Sequence, residues 1–320
     1  MKINKNLLKS AGFLLGLFVL LLIMSAVFHR GRFADVYDRE SVERKINEVH
    51  GEKDNSLEVL FCGDSECYSS FCPPLLFAEY GHTSYVCGTS AQRLCDTYAI
   101  LEEVFKSQSP QVVVIETNCL YRGTSVDGDY KDGVLNFLTN KLPIFAYHSD
   151  WKNFVGSVVG TGTGKKGSND LKGFIVRNSV NPYKGGCYMV ESEDEEQFSD
   201  DTYKYLDKIL KLCNENNTKL LLVSSPSPRN WTYARHNSVK NWAEQSQVGY
   251  LDLNLQNNLN IDWDTDTKDG GDHVNFAGAK KVTRFIGEYL SDVCGLPDLR
   301  EINGYEEWKE SCKAIYDLEK

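Results

Sequence analysis

The chain has no run of Lys and Arg dense enough to neutralise phosphates, and its net charge is −10. Nucleic acid, which is gripped by clustered basic side chains, is therefore excluded as a main partner. None of its ten cysteines forms a CxxC pair, and no histidine stands at zinc-ligand spacing, so no metal or other cofactor is expected. GxxxxGK[ST] is absent as well. The Gly- and Lys-rich stretch GTGTGKKGS (160–168) has no strand before it opening into a helix, and reads as a flexible loop. No long apolar segment suggests the lid of a lipase on soluble substrates.

What is present begins at the N-terminus. Residues 11–28, AGFLLGLFVLLLIMSAVF, carry no charge for 18 residues, enough helix to span most of a hydrocarbon core. Lys2, Lys5 and Lys9 precede the run and Arg30 and Arg32 follow it. That bias predicts residues 1–10 inside, one transmembrane signal-anchor at 11–28, and everything after His29 outside. No small-x-small cleavage site follows the run, and no cysteine is placed there for a lipid, so an uncleaved anchor is preferred to a signal peptide. Polar residues 29–56 read as a stalk. An exported domain permits disulfides, although the spacing of these cysteines does not fix a connectivity.

Beyond the stalk, short apolar runs alternate with helical stretches. Residues 57–62, 84–87, 112–115, 220–223 and 250–253 are strand candidates; 66–80, 90–107, 199–216, 234–247 and 277–293 are helix candidates. Continuous apolar runs suit strands buried on both faces, and the β-α-β order predicts an α/β fold with a parallel sheet between helices. About a hundred residues separate the third and fourth strands, more than a crossover needs, so 119–198 is read as an insertion in a domain spanning 57–296. Residues 297–320 form a C-terminal extension expected to be helical.

Two patterns carry chemistry. Gly63-Asp64-Ser65-Glu66 follows the first strand and opens a helix, which places Ser65 at the carboxyl edge of the sheet. Alone it reads equally well as a helix N-cap. Asp269-Gly270-Gly271-Asp272-His273 lies after the last strand, and an acid close before a histidine can hold Nδ1–H and leave Nε2 to take a serine proton. The second and third strands end at Gly88 and at Glu116-Thr117-Asn118, on the same edge. The Ser65 and Gly88 N–H groups and the Asn118 amide are candidate oxyanion donors. His82 and His236 lack a comparable acidic setting in the sequence.

This ordered set, GDS at 63–65, Gly88, Asn118 and the acidic turn ending in His273, resembles the four blocks of the SGNH (GDSL) hydrolases. The GDSE start and DHVNFAGAKKVT (272–283) are similar to a membrane-anchored branch. Its members resemble extracellular proteins of alginate acetylation and teichoic-acid D-alanylation. The resemblance implies a three-layer α/β/α, flavodoxin-like fold with Ser65 as nucleophile, His273 as base, and Ser65, Gly88 and Asn118 as the oxyanion hole. It departs from the pattern where the acid, usually three residues before the histidine, is Gly270. Asp269, brought back by a bulge at the double glycine, or the adjacent Asp272 is then the acid. A second departure is Glu116, where the third block usually has glycine.

The expected function is O-acyl transfer or O-ester hydrolysis on a cell-envelope or secreted polymer, through an acyl-serine. The branch resemblance implies a multi-span membrane O-acyltransferase as partner. In the insertion, His148 and Trp151 form an aromatic and polar cluster suited to sugar rings. The alternative is a catalytically silent binding or assembly protein on the same scaffold.

Overall fold

The computed structural model describes residues 5–28, 39–122 and 170–317. The chain divides into two units, 1–40 with 125–165, and 41–124 with 166–320. In the first, helix α1 runs Lys5–Phe28. Side chains are described for 9–10 and 12–22 of it, and all but Leu21 are exposed. Among the described residues no helix is long and apolar enough to cross a membrane. The span expected at 11–28 extends past those side chains.

The second unit is built on five parallel strands in the order β2-β1-β3-β4-β5. They are β1 Val59–Cys62, β2 Ser84–Val86, β3 Val112–Glu116, β4 Lys219–Ser224 and β5 Gly249–Asp252. The apolar runs become strands because both faces are covered. Val59, Phe61, Val112, Val114, Leu221 and Val223 pack in one cluster with Val282, Ile286 and Leu290 of helix α8, Phe276–Asp292. Leu60, Val113, Ile115 and Leu222 between them are equally buried and point to the opposite face. On the α8 side lie α3 (Ser65–Ser70) and α4 (Pro73–Tyr80). Elsewhere α5 (Leu94–Val104) packs on α6 (Asp200–Glu215), and α7 (Tyr233–Ser246) on β5. The order 2-1-3-4-5 reverses between β1 and β3, and open α/β sheets bind ligands at such a reversal, outside the carboxyl ends.

Two expectations are corrected. The helix expected at 66–80 is two helices, because Pro73 and Pro74 force the residue before them, Cys72, into extended backbone. Part of the stalk is folded: α2, Arg39–Val49, buries Val42, Ile46 and Val49, spaced four and three apart on one helical face, and Tyr85 donates to its Glu48 at 3.2 Å. Within the C-terminal extension, α9, Glu307–Asp317, packs on α4 and stacks Trp308 on Phe77 at 5.2 Å. No disulfide is formed among the described residues, and seven of the ten cysteines are buried, where they serve as small apolar side chains.

Glu58, just ahead of β1, is buried against Thr83, whose N–H it accepts at 3.1 Å, and Gln111, whose amide it accepts at 3.3 Å. Burial pushes its carboxyl up to about 7 from 4.5, with Thr83 offsetting this in part. The folded state thus holds this proton more tightly than the unfolded chain. Its stabilising contribution is complete below pH 4.5 and is lost as pH rises through about 7. Glu58→Gln should therefore raise Tm above wild type at pH 8 by roughly 2–4 °C, the shift about 1 kcal/mol makes in a domain of this size. The gap should close at pH 4, and thermal melts at the two pH values measure it.

Candidate active site

After β1 the chain turns at Gly63, where φ is 150°. A Cβ there would stand 2.8 Å from the Glu116 Cβ, so glycine lets the turn lie against the end of β3. Asp64 is wholly buried and caps α3 by accepting the Glu66 N–H at 3.2 Å. Its other oxygen accepts from Asn118 Nδ2 at 2.9 Å and from Arg122 Nε. A carboxylate this deep persists only with such donors. Gly88 passes over the same turn: a Cβ on it would lie 3.2 Å from the carbonyl oxygens of Gly63 and Asp64.

Ser65 Oγ donates to Glu66 Oε2 at 3.2 Å. Glu66 is 1% exposed, and its Oε1 accepts from Asn118 Nδ2 at 3.0 Å and from Asn230 Nδ2 at 2.6 Å. Burial, and next the neighbouring charge of Asp64, push the Glu66 carboxyl well above the usual carboxylate range. The same two causes raise Glu116, which accepts the N–H groups of Asn118 and Ser225 at 3.0 and 3.2 Å.

His273 stands in a closed turn. Thr267 and Val274 form an antiparallel bridge, and the His273 carbonyl accepts from Thr267 Oγ1 at 2.9 Å and Lys268 N–H at 3.2 Å. Gly270 and Gly271, with φ of 76° and 90°, fold Asp269 back onto the histidine. Asp269 Oδ1 accepts the His273 N–H at 2.8 Å, and Oδ2 lies 2.7 Å from Nδ1. Asp272 Oδ1 is 3.7 Å from the same nitrogen and accepts from Asn230 Nδ2 at 2.5 Å instead. Of the two candidate acids, Asp269 is the one in hydrogen-bond contact. His273 Nε2 is buried without a hydrogen-bond partner, and Glu66 Oε2 stands 3.7 Å from it.

The described end of the insertion supports this turn. Asn181 N–H donates to the Thr267 carbonyl at 3.0 Å and its own carbonyl accepts from Gly270 N–H at 2.8 Å. A Cβ on Gly271 would meet the Tyr183 ring at 2.9 Å. Residues 170–198 are thus part of the site's scaffold. His148 and Trp151 lie outside the described residues.

Among the described residues, two groups of side chains bring donor atoms within 4.8 Å of one another, as a metal would need: Glu66, Asp272 and His273; and Asp64, Glu66 and Glu116. Their oxygens already accept from Asn118, Asn230, Arg122 and Ser225, so the described geometry is that of a hydrogen-bond network.

No protein-family model matches the chain, and no curated protein matches it. Similar solved structures exist. One is a putative acylhydrolase from Bacteroides fragilis, 14% identical, with a TM-score of 0.40 over 80% of this chain and 98% of that one. A GDSL-like lipase from Bacteroides thetaiotaomicron is 14% identical with a TM-score of 0.39, covering 78% and 97%. A putative GDSL-like lipase from Parabacteroides merdae is 12% identical at 0.33, covering 82% and 98%. Likeness at this level transfers neither activity nor substrate to this chain.

Several residues at the site were not singled out in the sequence. Glu66 follows the serine but resembles an ordinary first-turn acid of a helix. Asn230 and Arg235 reach the site from the far side of β4. His236, set aside for want of an acid, has one: Asp252 of β5, 2.8 Å from its Nδ1. That pair is held by Trp231 Nε1, which donates to Asp252 at 2.9 Å, and has no serine hydrogen-bonded to the imidazole among the described residues.

The two aspartates before His273 should separate in an esterase assay. Asp269→Asn, which loses the charge against Nδ1, should lower kcat/KM on an activated ester by roughly 10⁴-fold, on the scale of tautomer and charge loss in a triad. Asp272→Asn should stay within about tenfold of wild type. The reverse order would assign the acid to Asp272.

Proposed function

We propose that the chain is an SGNH-type serine O-acyl hydrolase or O-acyltransferase, anchored by residues 11–28 and acting outside the membrane on an envelope or secreted polymer. One observation carries the chemistry: Ser65 Oγ and the bare Nε2 of an Asp269-oriented His273 face the same point at the β1/β3 reversal. Their bond to each other is not formed in this state, and apo sites often close only around substrate.

In this reading Ser65 Oγ bonds to an acyl carbonyl carbon as its proton passes to His273 Nε2. The carbonyl π pair moves onto oxygen, where N–H donors at the head of α3, at Gly88 and on Asn118 stabilise it. The C–O bond to the leaving alcohol then breaks, and His273 returns the proton to that alkoxide. Acyl-Ser65 is released by the reverse sequence, to water in an esterase or to a polymer hydroxyl in a transferase. Asp269 keeps the imidazole in the useful tautomer and balances its charge while protonated.

The exposed apolar face of α1 at 12–22 and the charge bias around it support the anchor. Tethering raises the effective concentration of the site at a surface polymer, and the resemblance to acylation proteins supports a membrane O-acyltransferase as donor. His148 and Trp151 remain the proposed sugar contacts. A silent scaffold is the second reading, favoured by Glu66, which occupies the space between serine, histidine and Asn118.

Ser65→Ala, His273→Ala and the double variant should fall to nearly the same floor on an activated ester, since residues that act as a unit are non-additive. Additive losses, or full activity in folded Ser65→Ala, would remove the nucleophile assignment and leave the scaffold.

A further inference from the structure

Resting on the serine-nucleophile reading, we propose that Asn230 is a second oxyanion donor paired with Asn118, and that the Glu66 carboxyl fills their shared pocket until an acyl group displaces it. The amide nitrogens of Asn118 and Asn230 come from different elements, the turn after β3 and the turn before α7, yet converge on one oxygen. They lie 3.0 and 2.6 Å from Glu66 Oε1. The second oxygen of that carboxyl stands 3.2 Å from Ser65 Oγ and 3.7 Å from His273 Nε2. A planar carbon with one oxygen in a pair of amide donors and the other beside nucleophile and base has the arrangement of a bound acyl group.

The donors are held in place rather than recruited by Glu66. Arg235 donates through Nη1 to the Asn230 carbonyl at 2.6 Å and faces Asn118 Oδ1 at 3.5 Å. This sets the Asn118 amide with oxygen toward the guanidinium and nitrogen toward the pocket. Arg235 is fixed in turn by both oxygens of Glu196, at 2.9 and 2.8 Å, and lies 4.2 Å over the Tyr121 ring. Asn230 Nδ2 gives one of its two hydrogens to Asp272 Oδ1 at 2.5 Å, which directs the other into the pocket. Preorganised donors of this kind need no reorientation when charge develops on a carbonyl oxygen.

The occupant is suited to leaving. Burial and the Asp64 charge favour the neutral acid in Glu66, so its replacement by a neutral ester exchanges one uncharged carboxyl group for another. Glu66 sits directly after Ser65, and rotation of its own side chain is enough to clear the pocket.

The test measures the labelling rate of Ser65 by a fluorophosphonate, whose adduct places an oxygen in the oxyanion pocket, together with kcat and KM on an activated ester, in the full-length chain. Asn230→Ala should slow labelling and lower kcat by about 10²-fold, the scale for one donor, with KM within about twofold. Asn230→Leu keeps the volume without the donors and should behave alike, which covers a folding failure of the alanine variant. Glu66→Ala should label several-fold faster than wild type. Ser65-dependent labelling at wild-type rate in both folded Asn230 variants would overturn the donor role while leaving the serine reading intact, and slower labelling of folded Glu66→Ala would overturn displacement. If neither wild type nor Glu66→Ala is labelled at Ser65, the serine reading fails and this proposal with it.

Discussion

The site depends on one buried carboxylate. Asp64 has no solvent exposure and accepts from the Glu66 N–H, Asn118 Nδ2 and Arg122 Nε, so it ties the turn after β1 to the turn after β3. Those two turns flank the reversal in the sheet, the place where open α/β sheets bind their ligands. Asp64 is fully buried whereas the Arg122 side chain is 35% exposed, so loss of the arginine would leave the carboxylate to its two remaining donors and to solvent reaching in beside it. The placement of Ser65 follows from this acceptor, which also holds one hydrogen of the Asn118 amide while Arg235 faces its oxygen.

Its charge has consequences around it. Glu66 and Glu116 share the interior with Asp64, and burial plus that charge drive both toward the protonated form. A neutral acid beside Ser65 and His273 can occupy the pocket without a counter-ion, whereas an ionised one would need it. The opposite wall is built differently, from main-chain bonds. Residues 181–183 and the double glycine at 270–271 interlock so that Asp269, four residues before the histidine, reaches Nδ1. The four-residue step from Asp269 to His273 is closed by positive φ at two glycines, at a place where side chains would be strained.

The sheet was legible because its strands are continuous apolar runs covered on both faces: the 112–115 and 220–223 candidates became Val112–Glu116 and Lys219–Ser224. The break at Pro73 was readable from local rules and overlooked. So was the four- and three-residue spacing of Val42, Ile46 and Val49, hidden in a polar stretch taken for a stalk. Ser65, Asn118 and His273 could be picked out because strand ends on one edge gather them. Asn230 and Arg235 could not, since nothing local in SPSPRNWTYAR (225–235) indicates which distant turn they meet. The Asp252 partner of His236 was hidden for the same reason, being supplied by the next strand. Periodicity reports what a segment buries, and contacts across the sheet edge are set by tertiary packing.

Under the proposed chemistry Ser65 carries the acyl group during turnover. Rapid quenching in acid during reaction with an activated ester, followed by proteolysis and peptide mapping by mass spectrometry, reads this out. One acyl group is expected, on the peptide containing Ser65, accumulating at early times and decaying once the ester is spent or polymer is added. Turnover of the ester with that peptide unmodified at every time point, or with the acyl group on another residue, would contradict it.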